Sequence, residues 1–271
     1  MTGPWRQPGL WAAVLVLAIL AFLSAGASFL APDPDAMNLD ATLQGPSAAH
    51  WFGTDELGRD YWARTLHGGR VTLAVALLAM VLTTAVGALV GLVAGFRGGW
   101  VDAVLMRGVD VLTSIPWLVL VTVIGLFLPP SLVTLILIIG LFTWMSVARM
   151  VRAQALTLRE RDYVSYARAT GVGPWTIVFR HILPGALPTL VVASTLGVAS
   201  AILTESALSF LGLGVRPPAS SWGAQLQNAQ AYLGEAPHLA FLPGLLIVAT
   251  VLSVNRIGDA LRSWADPRSL S

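Results

Sequence analysis

Arg161-Asp162-Tyr163-Val164-Ser165-Tyr166-Ala167-Arg168-Ala169-Thr170-Gly171 is followed by nine residues, Val172–Arg180, and then by His181-Ile182-Leu183-Pro184. Six arginines, Arg149, Arg152, Arg159, Arg161, Arg168 and Arg180, lie in or beside this stretch, and apolar runs of membrane length flank it. A chain that keeps such an island in water between apolar runs holds a surface that can dock a partner. Arginine and aromatic residues are favoured interface anchors, and the island also supplies Tyr163, Tyr166, Trp175 and Phe179.

Locally the island reads as helix–turn–helix. Ala153–Ala169 combines good helix formers with amphipathic spacing. Gly171 tolerates the positive φ that ends a helix, and Pro174 suits the first turn of a second one. Leu183-Pro184 is expected to redirect the chain into the next apolar run. On composition alone, a merely solvated loop with arginines retained for topology is an equal reading.

Composition places the whole chain in a membrane. Of 271 residues, 56% are hydrophobic and 11% charged, with mean hydropathy +0.74, whereas soluble domains are about 25% charged. All sixteen basic residues are arginine. A P-loop needs a lysine in G-x-x-x-x-G-K-[ST] to reach the nucleotide phosphates, so ATP-driven work requires another subunit. The absence of cysteine excludes disulfides, thiolate metal sites and cysteine nucleophiles. A net charge of +2 gives no reason to expect nucleic acid. His50, His67, His181 and His238 show no H-E-x-x-H spacing, so no metal site and no cofactor are expected in this chain.

A spanning helix needs roughly 20 apolar residues. The candidates are Leu10–Ala31, Val71–Phe96, a stretch inside Val101–Leu128, Leu132–Met150, Leu187–Leu211 and His238–Val254. A secretory signal with Arg6 as its basic start and Ala25-Gly26-Ala27 as its cleavage site is the competing reading of the first run. Its length and the five further runs favour a retained span. Six spans place both termini on one side. With the N-terminus inside, Arg6, Arg97, Arg107, the six island arginines, Arg256, Arg262 and Arg268 are inner, and Arg59, Arg64, Arg70 and Arg216 outer. Twelve against four makes the island and both termini cytoplasmic.

The expected organisation is residues 1–31 as an N-terminal tip and first span, and 32–70 as an extracytoplasmic segment. Residues 71–257 form a five-helix core containing the loop 151–184, and 258–271 a cytoplasmic tail. Asp55–Leu66 mixes charges with Tyr61 and Trp62 and reads as a short interfacial helix. Gly212–Pro237 reads as a loop with a brief helix. Gly87, Gly91 and Gly95, four apart, form a face on which helices approach closely. Pro116, Pro188 and Pro243 interrupt spans. Arg107 and Asp110 have the spacing of a local ion pair. Glu205, near the outer end of the fifth span, reads as a translocation-pathway group, as a helix-to-helix hydrogen bond, or as a carboxylate solvated at the interface near the span's end.

The Gly171-to-Pro184 spacing resembles the cytoplasmic loop of importer-type ABC permeases: E-A-A, three residues, Gly, nine residues, I-x-L-P. Ala167, Gly171, Leu183 and Pro184 match it, while Ser165, Tyr166 and His181 replace Glu, Ala and Ile. The chain further resembles the dipeptide/oligopeptide/nickel permease subfamily, specifically its C-type subunit. The residues carrying this are Phe52–Asp60, Gly98-Gly99-Trp100-Val101-Asp102, Ser114-Ile115-Pro116, Arg161–Val164, Glu205–Gly214 and Asp266-Pro267. The resemblance implies an all-α integral membrane protein of the type I importer permease fold, in the bacterial inner membrane. It implies a non-catalytic subunit forming half of a path for short peptides or a related solute such as a nickel chelate. Its partners would be a homologous B-type permease, two ATPases that bind the ATP and Mg, and a periplasmic or lipid-anchored substrate-binding protein. The ATPase-coupling residues would be Arg161, Asp162, Tyr163, Ser165, Tyr166, Ala167, Arg168, Gly171, Pro174, Leu183 and Pro184. Ser165 removes a possible charge contact there, for which Arg161, Arg168 and Arg180 are the candidate replacements. A secondary transporter or channel would instead show midplane ionisable residues or repeated broken helices, and an intramembrane serine protease a G-x-S-x-G elbow. Neither pattern is found.

Overall fold

Inside a bilayer the backbone has no water to bond, so apolar runs of this length satisfy themselves as helices. The computed structural model describes residues 8–265, which hold one isolated antiparallel bridge, Thr54 to Asp60, and are otherwise helices and turns. In chain order the helices are α1 (Pro8–Ala25), α2 (Ala27–Leu30), α3 (Tyr61–Arg97), α4 (Gly99–Ser114), α5 (Trp117–Phe127), α6 (Leu132–Leu158), α7 (Asp162–Ala169), α8 (Pro174–Ile177), α9 (Leu183–Phe210), α10 (Trp222–Ala229) and α11 (His238–Ala265). A π-helical turn, Val178–Ile182, joins α8 to α9. Arg6, Arg268 and the Asp266-Pro267 pair lie outside the described residues.

Among the described residues, five helical units are long and apolar enough to cross a membrane: α1, α3, α6, the α8–α9 unit and α11. The run expected inside Val101–Leu128 is instead a bent pair, α4 and α5 meeting at 79°. Pro116 is the cause. A proline disfavours helical geometry in the residue before it, and Ile115 is extended at φ −84°, ψ 126°. The 11 residues of α5 rise about 16 Å, roughly half of the ~30 Å hydrocarbon core.

The short interfacial helix expected over Asp55–Leu66 also differs. Its first part is a turn built on Asp55, whose carboxylate takes Arg59 at 2.7 Å and Arg64 at 3.2 Å, all three side chains buried. Its second part belongs to α3, a single helix of 37 residues. Asp60 starts that helix, its Oδ1 accepting the Ala63 N–H at 2.9 Å. Gly98, at φ 63°, ends it and lets α4 begin at once.

Close approach of α3 to α6 organises the bundle. Gly87, Gly91 and Gly95 face α6, where a Cβ on Gly91 would stand 2.5 Å from the Ala148 carbonyl oxygen and 2.8 Å from the Val151 Cβ. One apolar cluster joins α3, α6, α9 and α10 through Val75, Leu135, Ile202, Leu208 and Trp222. A second continues toward the island through Leu92, Val151, Val164, Ile177 and Ile182. The island is therefore rooted in the core of the bundle.

Candidate functional site

The helix expected over Ala153–Ala169 is two helices, because α6 ends at Leu158 and α7 begins at Asp162. Asp162 in the first turn of α7 and Arg168 in its last complement the helix dipole. The end of α7 is a Schellman motif. The Val172 N–H donates to the Ala167 carbonyl at 3.0 Å, and the Gly171 N–H to the Arg168 carbonyl at 3.1 Å. Gly171 holds φ 78°, and a Cβ there would meet nothing within 4 Å. The demand for glycine is one of backbone conformation alone.

Pro174 opens α8 at its first turn. Leu183-Pro184 does not redirect the chain, contrary to the sequence reading. Proline inside a helix removes one hydrogen bond and crowds the carbonyl four residues back. Here the π turn at Val178–Ile182 directly precedes α9 and widens the backbone where that crowding would fall. Pro174–Phe210 consequently runs as one unit of 37 residues.

Burial divides the island into two faces. Val164, Ala167, Ile177, Val178 and Ile182 are buried against α3 and α6. Tyr163, Tyr166, Trp175 and Phe179 are exposed by 45%, 73%, 51% and 53%. Trp175 and Phe179 stack with ring centroids 6.1 Å apart. An open recess of about 510 Å³ lies between Tyr163, Tyr166, Thr170 and His181. Ser165, Arg161, Asp162 and Pro174 are exposed on the same unit, Pro184 is exposed beside it, and Leu183 is half-buried.

The arginines also divide. Arg152 forms a two-point pair with Asp102 of α4, its Nη2 to Oδ2 distance being 2.6 Å. Arg159 Nη1 donates to the Gly95 carbonyl at 3.0 Å. Arg149 reaches Asp110 at 3.4 Å, so Asp110 pairs across helices and the local Arg107–Asp110 pair is not formed. These three brace the bundle. Arg161, Arg168 and Arg180 are exposed and make no ion pair among the described residues. Arg168 lies over the Phe96 ring at 5.1 Å and ties α7 to the end of α3.

Above the island, α3, α6 and α9 enclose a half-open groove of about 210 Å³. Thr83, Thr143, Ser146, Ser200 and Thr204 line it together with Met80, and none of its lining residues is ionisable. The sequence reading missed these hydroxyls. Their signal was available, because Thr143 and Ser146 on α6, and Ser200 and Thr204 on α9, recur at i, i+3 and i, i+4.

Glu205 does not line this groove. It is 0% exposed, accepting from Ser209 Oγ at 2.7 Å and from Thr72 Oγ1 at 3.1 Å. Thr72 Oγ1 in turn accepts the Trp222 N–H at 3.2 Å, and Ser221 Oγ donates to Ser209 Oγ at 3.2 Å. Of its three sequence readings, this placement favours the helix-to-helix hydrogen bond, since the carboxylate is buried and clamps α3, α9 and the start of α10. Trp222 Nε1 reinforces the joint by donating to the Thr65 carbonyl at 2.9 Å. Among the described residues, no three His, Asp or Glu side chains are grouped to hold a metal.

A family model described as binding-protein-dependent transport system inner membrane component matches residues 87–270. A Brucella suis biovar 1 protein provisionally named a peptide permease is 44% identical over 238 residues, covering 87% of this chain and 79% of its own length. A glutathione transport system permease protein of Pectobacterium atrosepticum is 37% identical over 278 residues, covering 98% of this chain and 91% of its own. A dipeptide transport system permease protein of Alkalihalophilus pseudofirmus is 37% identical over 257 residues, covering 95% and 83%.

Proposed function

Because the chain belongs to the binding-protein-dependent transport system inner membrane components, we propose that it forms half of an ATP-driven import path for short peptides. The relatives named for peptide, dipeptide and glutathione transport support that solute class. The island and both termini would face the cytoplasm, as the arginine distribution indicates. A homologous permease would supply the missing wall of the groove between α6 and α9. Two ATPase subunits would bind the nucleotide and Mg, and a substrate-binding protein would deliver solute on the opposite side.

The observation that carries this reading is the two-faced island. Its apolar face is locked into the bundle by Val164, Ile177, Val178 and Ile182, while Tyr163, Tyr166, Trp175 and Phe179 stand free. Such a surface can pass force to the bundle as well as bind. ATPase closure would push α7 and α8, and the continuous α8–α9 unit would tilt with them. Arg161, Arg168 and Arg180 would supply the polar contact that a glutamate at position 165 would otherwise provide.

The test is reconstitution of the chain with its partner subunits and binding protein in proteoliposomes. We expect dipeptide accumulation that requires ATP, and co-purification of an ATPase that is lost when Tyr166 and Trp175 are both replaced by Ala. Solute movement by this chain without ATP, as a secondary transporter or channel would show, defeats the proposal.

A further inference from the structure

The groove has a neighbour across Met150. A second cavity of about 500 Å³ lies toward the island end of the bundle, bounded by Met150, Thr189, Ala193, Leu196, Arg262 and Ala265. Met150 and Ala193 line both cavities, so the two adjoin. Thr189, Ala193, Gly197, Ser200 and Thr204 follow one face of α9 from one cavity to the other. Among the described residues lining the two cavities, the only ionisable one is Arg262, at the wide lower end. Arg262 is exposed, stands in the last turn of α11 and makes no ion pair among the described residues.

We propose that Arg262 is a selectivity residue of the translocation path, its guanidinium engaging a side-chain carboxylate of the passing solute at the discharge end. This rests on the transport reading above. Hydroxyl and methionine walls offer no charge that could hold an ionised solute, so passage through the groove leaves acidic, neutral and basic peptides on similar terms. The lower cavity changes that. A guanidinium presents donors in a planar fork that matches a carboxylate, and one on a cavity wall with no ion pair among the described residues attracts the acidic solute and repels the cationic one. Because the pair forms at an exposed position, it stays weak enough for release.

The experiment uses the complete importer in proteoliposomes, with the same binding protein throughout, and compares uptake of Ala-Glu, Ala-Ala and Ala-Lys. Each variant is read as its rate relative to the unsubstituted importer for the same peptide, which cancels the binding protein's own preference. Arg262→Gln should lower the Ala-Glu to Ala-Ala ratio about two- to fivefold, the range an exposed ion pair supports. Arg262→Glu should lower it further and raise relative Ala-Lys uptake, and Arg262→Lys should retain most of the native ratio. Arg107→Gln, an exposed arginine on α4 that lines neither cavity, should leave the ratios unchanged. Equal changes for all three peptides, no change, or the same shift from Arg107→Gln overturns the proposal. So does an Arg262→Gln effect that disappears in vesicles lacking anionic lipid, which would assign the guanidinium to a lipid phosphate. An unsubstituted importer without ATP-dependent peptide uptake would defeat the transport reading itself, and this inference with it.

Discussion

Replacing Gly171 tests whether the island couples through the shape of its backbone. At φ 78° an L-residue pays a conformational penalty of about 1–2 kcal/mol, and a β-branched residue is worst placed to adopt it. Nothing lies within 4 Å of the position a Cβ would take, so no clash adds to that strain. The penalty is small beside what holds the bundle together, and Gly171→Val should insert and assemble normally. It is large for the Schellman turn, whose two hydrogen bonds at 3.0 and 3.1 Å would shift against alternatives by a factor of about 5–30. We expect ATP hydrolysis to persist while peptide uptake per ATP falls severalfold. Gly171→Asn discriminates the cause, because asparagine nearly matches valine in size yet tolerates the left-handed region. Uptake per ATP in proteoliposomes should therefore rank Gly, Asn, Ala, Val. If Asn is as impaired as Val, bulk at an interface is the cause; if Val transports normally, the turn has no coupling role.

Two further substitutions probe the frame. Glu205→Ala leaves the Thr72 and Ser209 hydroxyls without their buried acceptor, at a cost of about 1–3 kcal/mol for each unsatisfied group. The detergent-purified complex should lose thermal stability, whereas Glu205→Gln, which keeps one acceptor oxygen, should lose less and lower uptake of cationic and neutral peptides alike. A selective loss of cationic uptake in Glu205→Gln would return the carboxylate to the pathway. Gly91→Leu drives a side chain into the Ala148 carbonyl and Val151, and overpacking of this kind typically costs about 1–3 kcal/mol or more. The melting temperature should drop more than for Gly91→Ala, and equal melting temperatures for both would contradict the close α3–α6 approach.

The parts of this fold legible in the sequence were those written locally. Apolar runs of membrane length announced the long helices, Pro174 stood where a helix begins, and Gly171 where one ends. Pro116 marked a break, but nothing local gave its 79° bend. The π turn was invisible for a related reason. Leu183-Pro184 reads as a stop, and only the tight seating of Ile177, Val178 and Ile182 in the core carries the helix through it. Partners distant in sequence were the other blind spot. Thr72 meets Glu205 across 133 residues, and Asp102 meets Arg152 across 50. Six arginines of one island looked alike until those partners separated the three that brace the bundle from the three with no ion pair among the described residues.

That separation bears on how force would cross the membrane. The α8–α9 unit has 37 residues and rises about 55 Å, enough to cross the ~30 Å hydrocarbon core with a turn or more to spare at each end. At one end it carries Trp175 and Phe179; near the other, Glu205 and Ser209 bind it to α3 and to the start of α10. If the unit is stiff, a displacement applied at the aromatic end must move the Glu205 joint, and the groove residues Gly197, Ser200 and Thr204 between them move with it. Two places could absorb the motion instead, the π turn and Pro188. The π turn is walled by buried Ile177, Val178 and Ile182, and bending there would open voids in a close-packed core. Pro188 is one and a half turns above it, forfeits its own hydrogen bond and crowds the carbonyl four residues back. It is therefore the weaker point of the rod, and the sharpest bend between inward- and outward-open states is expected at Pro188, just below the cavity-lining Thr189 and Ala193.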